Sequence, residues 1–342
     1  MTFLPKVLRL FIFAVVVAGC GDASTDVATH ELAGATMGTT YTVKLLDPAG
    51  EFATEAMRET IEAMLADLDE SMSTYRPDSE LSRLNASSSK DWITVSQQLC
   101  DVVAQTLEVS DLTDGAFDVT VGPLVNLWGF GPDGSISTPP AAEDVEAAAT
   151  AVGYRGLHTD CSRPAIRKDI ASLYVDLSAY AKGHAVDQVA NLLDSQGVGN
   201  YLVEIGGELR LRGENAAGNA WAIGIEEPAF ASRSVHSIVG LSDIAIATSG
   251  DYRNYFEADG TYYSHTIDPR TGYPVMHTGA SVTVVAETAA YADAMATALL
   301  VLGAEDGLAL AQREGIAVFF QLRVDGAIEE RASDSFVTLA RR

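Results

Sequence analysis

From residue 201 onward the chain is dominated by short strand-like segments, and this pattern constrains the fold more than any other feature. Such segments occupy 201–204, 208–212, 221–226, 235–241, 244–248, 281–286 and 316–324. Two helical stretches, 289–302 and 304–314, separate the last of them, and Gly315 is a natural stop for the second. Strands with interspersed helices but no regular βα alternation argue an α+β fold, with mixed, largely antiparallel strands and packed helices. Upstream, a strand is expected over 39–46. Met57, Ile61, Met64, Leu65, Leu68 and Met72 make a helical stripe with acids opposite, a core pattern. Ser96 is an N-cap for a helix reaching Thr113. Segments 165–170 and 173–177 read as a hairpin feeding a helix over 181–193, and 141–151 as an Ala/Glu helix after a Gly- and Pro-rich loop.

The stretch 116–131 is too apolar for a solvated loop and too rich in Gly, Pro and Asn for ordinary core. Phe117, Val119 and Val121 alternate as a short strand, and Gly122-Pro123 starts a short helix that Gly129 stops. Asp118 is stranded among apolar neighbours and needs partners if buried. Asp293 and Thr297 stand one helical turn apart on one face. A carboxylate and a hydroxyl are hard oxygen ligands suited to Mg2+; the plainer reading is a first-turn Asp favoured by the helix dipole beside a packing Thr. Asp176 and Lys182 bracket the turn into a helix, where N–H groups and a lysine can cradle a phosphate and Gly183 permits close approach. His265, in His-Thr-Ile-Asp-Pro, is the best general-base candidate of the six histidines, or else it fixes the Asp268-Pro269 turn. Gly206-Gly207 and Ser249-Gly250 look like tight backbone approaches. Glu204 and Glu208 find no place from sequence.

At 342 residues the chain can bury a large core, and 47 % hydrophobic with 20 % charged residues excludes a disordered chain. A formal charge of −25 argues against a nucleic-acid partner, because nothing offsets phosphate repulsion. Lys6 and Arg9 precede an apolar run over 10–17 that ends in Ala18-Gly19-Cys20, the sectors of a signal peptide. Val17-Ala18-Gly19-Cys20 is similar to a bacterial lipobox, whose Cys is lipidated; the alternative is an ordinary cleaved signal with a chance Cys. The expected organisation is a lipoprotein signal peptide over 1–19, lipidated Cys20 with a flexible tether over 20–30, and one domain over 31–342. The expected location is the bacterial cell envelope, lipid-anchored on the periplasmic side of the inner or outer membrane. No further apolar run is expected to cross a membrane. Cys100 and Cys161 either pair in an oxidising compartment or serve as small buried hydrophobes. No Cys/His spacing suggests zinc.

Taken in order, Gly34-Ala35-Thr36-Met37-Gly38-Thr39-Thr40-Tyr41, Ser73-Thr74-Tyr75, Ser79 to Asn85, the 116–131 stretch, Asp176 to Gly183, Val203 to Glu208, Ala247 to Tyr252, His265 to Pro269 and Asp293 to Thr297 resemble the ApbE family of FAD:protein FMN transferases. The resemblance covers nearly all of the chain after residue 30. It implies an ApbE-like flavin transferase domain that moves FMN from FAD to a Thr or Ser hydroxyl of a target flavoprotein and releases AMP. By the same resemblance Met37, Tyr75, Ala116, Phe117, Asp118, Asp176, Lys182 and Ile267 contact FAD. Mg2+ lies on Asp293, Thr297 and the Ala179 main-chain carbonyl, and His265 activates the acceptor. Some family members carry a second carboxylate where this chain has Ala296. Implied acceptors are flavoprotein subunits of sodium-translocating NADH:quinone reductase and Rnf-type complexes. Two other activities suit the same motifs: a Mg2+-dependent FAD pyrophosphatase yielding FMN and AMP, and a non-catalytic FAD-binding lipoprotein.

Overall fold

The computed structural model describes residues 28–47, 49–50, 52–132, 134–229 and 234–341. The signal peptide, Cys20 and most of the tether lie outside the described residues. Eight antiparallel strands form one meander in which spatial order follows chain order. They are β1 (Ala28–Thr36), β2 (Thr39–Asp47), β3 (Tyr201–Ile205), β4 (Glu208–Arg212), β5 (Ile244–Gly250), β6 (Gly279–Ala286), β7 (Ala317–Val324) and β8 (Ala327–Ala332). β1 therefore starts inside the stretch expected to be tether. The period-2 alternation of strand side chains sorts the sheet's two faces. Ala245, Ala247, Val282, Val284, Val318, Phe320 and Leu322 enter the main core. Their neighbours Ile246, Val285, Ala317 and Phe319 enter a second core on the opposite face.

The helices are α1 (Thr54–Met72), α2 (Glu80–Ala86), α3 (Gln97–Leu112), α4 (Gly122–Leu127), α5 (Ala142–Ala149), α6 (Ala181–Ser195), α7 (Ala289–Glu314) and α8 (Asp334–Ala340). The expected stripe on α1 is buried at Ile61, Leu65, Leu68 and Met72, and Ser96 caps α3 by accepting from the Leu99 N–H at 3.1 Å. α1, α3, α6 and α7 supply the main core. The second core is closed by α8 and a separate ribbon of Trp221–Glu226 paired with Val235–Leu241. By length and composition α7 is apolar enough to cross a membrane, contrary to expectation, yet it is mostly buried as the central core helix. Its helical path breaks at Gly303 (φ 77°, ψ 175°), which divides it where two helices were expected. His277 Nε2 donates to the Leu300 carbonyl at 2.7 Å and takes up one of the acceptors freed by the break.

Two local expectations fail for one physical reason, the capture of backbone groups by side chains. Residues 117–121 form turns, not a strand. The Asp118 carboxylate accepts the Thr120 N–H at 2.7 Å, the Thr120 hydroxyl at 2.6 Å and the Tyr154 N–H at 3.0 Å, which curls the segment around it. Nor do 165–170 and 173–177 pair. Ala165–Lys168 pairs instead with Leu157–Asp160 and Ile93–Thr94. The backbone of Val175 is taken by the Asn85 amide, which donates to its carbonyl and accepts its N–H, both at 2.8 Å. Cys100 and Cys161 are joined in a disulfide that ties α3 to the end of that small sheet.

Candidate active site

The site is built where two helix N-termini meet beneath the sheet. α6 and α7 cap each other. Asp187 of α6 accepts the Ala289 and Ala290 N–H groups of α7 at 3.0 and 2.9 Å. Asp293 of α7 accepts the Gly183 N–H of α6 at 3.2 Å. Carboxylates suit helix N-termini, where unpaired N–H groups and the dipole favour negative charge. The approach requires Gly183, because a Cβ there would stand 2.3 Å from the Ala289 carbonyl oxygen and 2.7 Å from the Ala290 Cα. Gly183→Ala is expected to push the helices apart, to cost about 1–3 kcal/mol in stability and to weaken flavin binding; thermal unfolding and flavin titration measure the two effects.

Lys182 occupies the junction. Its Nζ donates to Glu208 Oε1 at 2.7 Å and lies 3.9 Å from Asp293 Oδ2. Burial works against this charge, but Asp293 and Glu208 outweigh it and hold the ammonium above its ordinary range. Glu208 is buried, and burial together with the Asp293 charge pushes its carboxyl up to about 8 despite Lys182. Its second oxygen, Oε2, is buried without a hydrogen-bond partner. Asp293, 3 % exposed, is likewise raised by burial against the pull of Lys182 and the Gly183 N–H. Two buried carboxyls thus share one ammonium, and the cluster is short of positive charge.

A cleft of about 610 Å³ opens beside the cluster, lined among others by Met37, Met72, Tyr75, Arg76, Ser178 and Lys182. Met37 and Gly38 form the two-residue turn between β1 and β2 with φ of 47° and 72°, the geometry of a type I′ hairpin. A methionine in that left-handed region is uncommon, and here it lines the cleft. Tyr75 is 65 % exposed at the rim. Asp176 accepts from the Ser178 N–H at 2.9 Å and its hydroxyl at 2.6 Å, and so shapes the loop that carries Ala179. Asp176 N–H in turn donates to the Val119 carbonyl at 2.7 Å. Ala116, Phe117, Asp118 and Ile267 are buried rather than on the rim. Phe117 belongs to the main core and Ile267 to a third cluster with Leu124, Trp128 and Val145. The carboxylate of Asp118 is fully engaged in the turn it organises.

Thr297 Oγ1 lies 3.0 Å from Ser249 Oγ. His265 Nδ1 is 3.1 Å from the Asn254 carbonyl oxygen, which can only accept, so Nδ1 carries the proton and Nε2 keeps the lone pair. Burial and the nearby Lys182 lower the basicity of this ring, against the Asn254 contact and the Asp251 charge. Sequence reasoning left Glu208 unplaced, passed over Asp187, and read Ser249 only as a tight backbone approach; their partners stand 26, 102 and 48 residues away.

The ApbE family model matches residues 37–320. A protein of Vibrio cholerae serotype O1 named FAD:protein FMN transferase is 46 % identical over 322 residues, 94 % of this chain and 95 % of its own. One of the same name from Haemophilus influenzae is 44 % identical over 313 residues, 90 % of each. The solved structure of the flavin transferase ApbE from Vibrio cholerae superposes with a TM-score of 0.85 at 45 % identity, over 92 % of this chain and 99 % of that one. The apo flavinyl transferase ApbE of Pseudomonas stutzeri also gives 0.85, at 41 % identity over 92 % and 98 %. The antiparallel meander, the helix junction with its charge-deficient cluster and these matches agree, and this chain belongs to the ApbE family.

Proposed function

We propose that this chain is a Mg2+-dependent FAD:protein FMN transferase that moves FMN from FAD to a Thr or Ser hydroxyl of a target flavoprotein and releases AMP. The observation that carries the reading is the buried Lys182–Asp293–Glu208 cluster at two helix N-termini, facing a cleft of flavin-binding size. The Asp293 carboxylate, the Thr297 hydroxyl and the Ala179 carbonyl offer three hard oxygens, and a buried carboxylate short of positive charge suits a hard divalent cation. Among the described residues no group of three or more His, Cys, Asp or Glu side chains is arranged for a metal, so this donor set relies on a single carboxylate. When bound, Mg2+ would neutralise charge on the pyrophosphate.

The chain's own residues do the rest. Lys182 holds a pyrophosphate oxygen by charge, while Met37 and Tyr75 wall the cleft. His265 Nε2 removes the proton from the acceptor hydroxyl. That oxygen bonds to the FMN phosphorus, the bridging P–O bond to AMP breaks, and AMP leaves with the electron pair. The product is a phosphoester, so positioning and charge neutralisation supply most of the rate.

The envelope location is proposed on the lipobox-like Val17 to Cys20, and the Cys100–Cys161 disulfide supports it, because disulfides persist in oxidising compartments. Lipid-anchored there on its periplasmic side, the enzyme would meet the flavoprotein subunits of NADH:quinone reductase and Rnf-type complexes.

Intact mass spectra of an acceptor domain incubated with the protein, FAD and Mg2+ test the reading. A Mg2+-dependent gain of one FMN less one water supports it. FMN and AMP free in solution beside unmodified acceptors would replace it with a pyrophosphatase, and unconsumed FAD with a binding protein. The ionisation of His265 adds a pH test. Because its neutral form is favoured, kcat/KM is expected to rise with pH through an apparent pKa below 6.5 and stay flat above it. His265→Ala should lose that limb and about 10²–10⁴-fold in rate; an unchanged limb in the variant would remove His265 from the role of base.

A further inference from the structure

Residues 249–254 connect both ends of the proposed chemistry without supplying a reacting group. Ser249 touches Thr297 at one end. At the other, the Asn254 carbonyl accepts both the main-chain N–H of His265 at 3.0 Å and its Nδ1–H at 3.1 Å. Between them stands Asp251, whose N–H donates to the Ala280 carbonyl at 3.2 Å. Both oxygens of its carboxylate accept from Arg323 Nη1, at 2.9 and 2.7 Å. Arg323 lies on β7, and its Nη2 also donates to the Pro228 carbonyl at 3.2 Å. The next residue, Tyr252, is buried, and its ring fills the space a Cβ on Gly250 would need. The segment is therefore anchored to β7, an interior strand of the sheet, three residues before the carbonyl that holds the imidazole.

We propose that the Arg323–Asp251 pair is a positioning device for His265. By fixing residues 251–254 to β7 it keeps the Asn254 carbonyl against Nδ1–H, and so keeps the lone pair on Nε2. The margin is small, since a contact of 3.1 Å ceases to be a hydrogen bond by about 3.6 Å. A shift of half an ångström frees the ring to exchange tautomers and to turn. A half-buried, two-contact ion pair to a strand resists such a shift better than loop backbone does. The assignment rests on His265 being the base, and it gives the observed hydrogen bond at Nδ1 a cause outside the cleft.

The test uses the full FAD-loaded chain with Asp251→Ala, Arg323→Met and Arg323→Lys. The 15N imidazole spectrum reports the His265 tautomer, assigned by loss of its signals in His265→Gln. In Asp251→Ala and Arg323→Met alike, the Nδ1–H form should give way to a tautomer mixture. kcat should fall about 10- to 100-fold with KM for FAD held within about twofold, because misplacement of a reacting group acts on the chemical step. Arg323→Met retains the Asp251 charge, so agreement between the two variants separates positioning from a charge effect. Arg323→Lys should recover part of both losses. A single tautomer in folded Asp251→Ala overturns the proposal, as does a parallel fall of kcat, FAD binding and melting temperature. Mixed tautomers at undiminished kcat would keep the positioning assignment and overturn His265 as the base.

Discussion

Asp293→Ala is expected to lose FMN transfer by about 10³-fold or more, equivalent to about 4 kcal/mol of transition-state stabilisation, while the protein stays folded. The two halves of this expectation have one cause. Burial raises the Asp293 carboxyl above its ordinary value, with Lys182 and the Gly183 N–H only partly opposing. A carboxyl whose folded pKa is raised costs stability once pH exceeds its unfolded value of 3.8, because the unfolded chain gives up the proton first. At neutral pH the metal-free fold therefore holds a buried carboxyl that costs it stability. Removing it leaves Lys182 paired with Glu208, and apo Asp293→Asn should be no less stable than the parent. Binding of a cation relieves the same cost, so Mg2+ should raise the melting temperature of the parent and leave that of the variant unmoved. Transfer at parental rates by Asp293→Ala, or an equal Mg2+ response in both proteins, would end the assignment of this carboxylate to the metal.

Lys168→Met should destabilise the fold by at least about 1–3 kcal/mol, the cost of leaving buried carbonyls without a donor. Lys168 has no exposed surface. Its Nζ donates to the carbonyls of Leu84, Asn85, Ser87 and Ala171 at 3.2, 3.4, 2.6 and 3.2 Å. Three of those carbonyls end α2 or follow it, so the ammonium completes a helix terminus that has no basic neighbour of its own beyond Arg83. Methionine fills the volume but donates nothing, and the acceptors stay dry. The loss should also reach the cleft. Asn85 holds Val175 through two hydrogen bonds, and Val175 precedes Asp176. Urea unfolding should show a lower midpoint at unchanged m-value, accompanied by weaker FAD binding. A midpoint within about 1 kcal/mol of the parent would show that water satisfies these carbonyls.

Regular periodicity was legible, and so were caps. The α1 stripe, the Ser96 cap, the break at Gly303 and the strands from 201 onward follow from side-chain spacing and from single residues with strong local preferences. Two Asp-Gly hairpin turns were within reach and passed over. Asp259-Gly260, with φ of 52° and 75°, joins the unexpected strands Tyr255–Ala258 and Thr261–Ser264. Asp325-Gly326, with φ of 49° and 81°, is the two-residue turn that returns the chain into β8. β1 is harder to see, for its pattern is largely exposed and rests on a turn at Met37-Gly38 that lacks the usual Asn or Asp.

Local pattern and motif order suffice for the α+β class, the family and the residues of the two helix starts that meet at the site. Tertiary structure alone decided that Glu208 would share the Lys182 ammonium with Asp293, and that Asp187 would cap α7. It also decided that the Cys100–Cys161 bridge would close. Periodicity and capping act within one or two helical turns and leave a repeating mark on the chain. A carboxylate that neutralises a distant lysine, or a side chain that takes another segment's N–H, leaves none, because its cause is the burial that brings the two segments together.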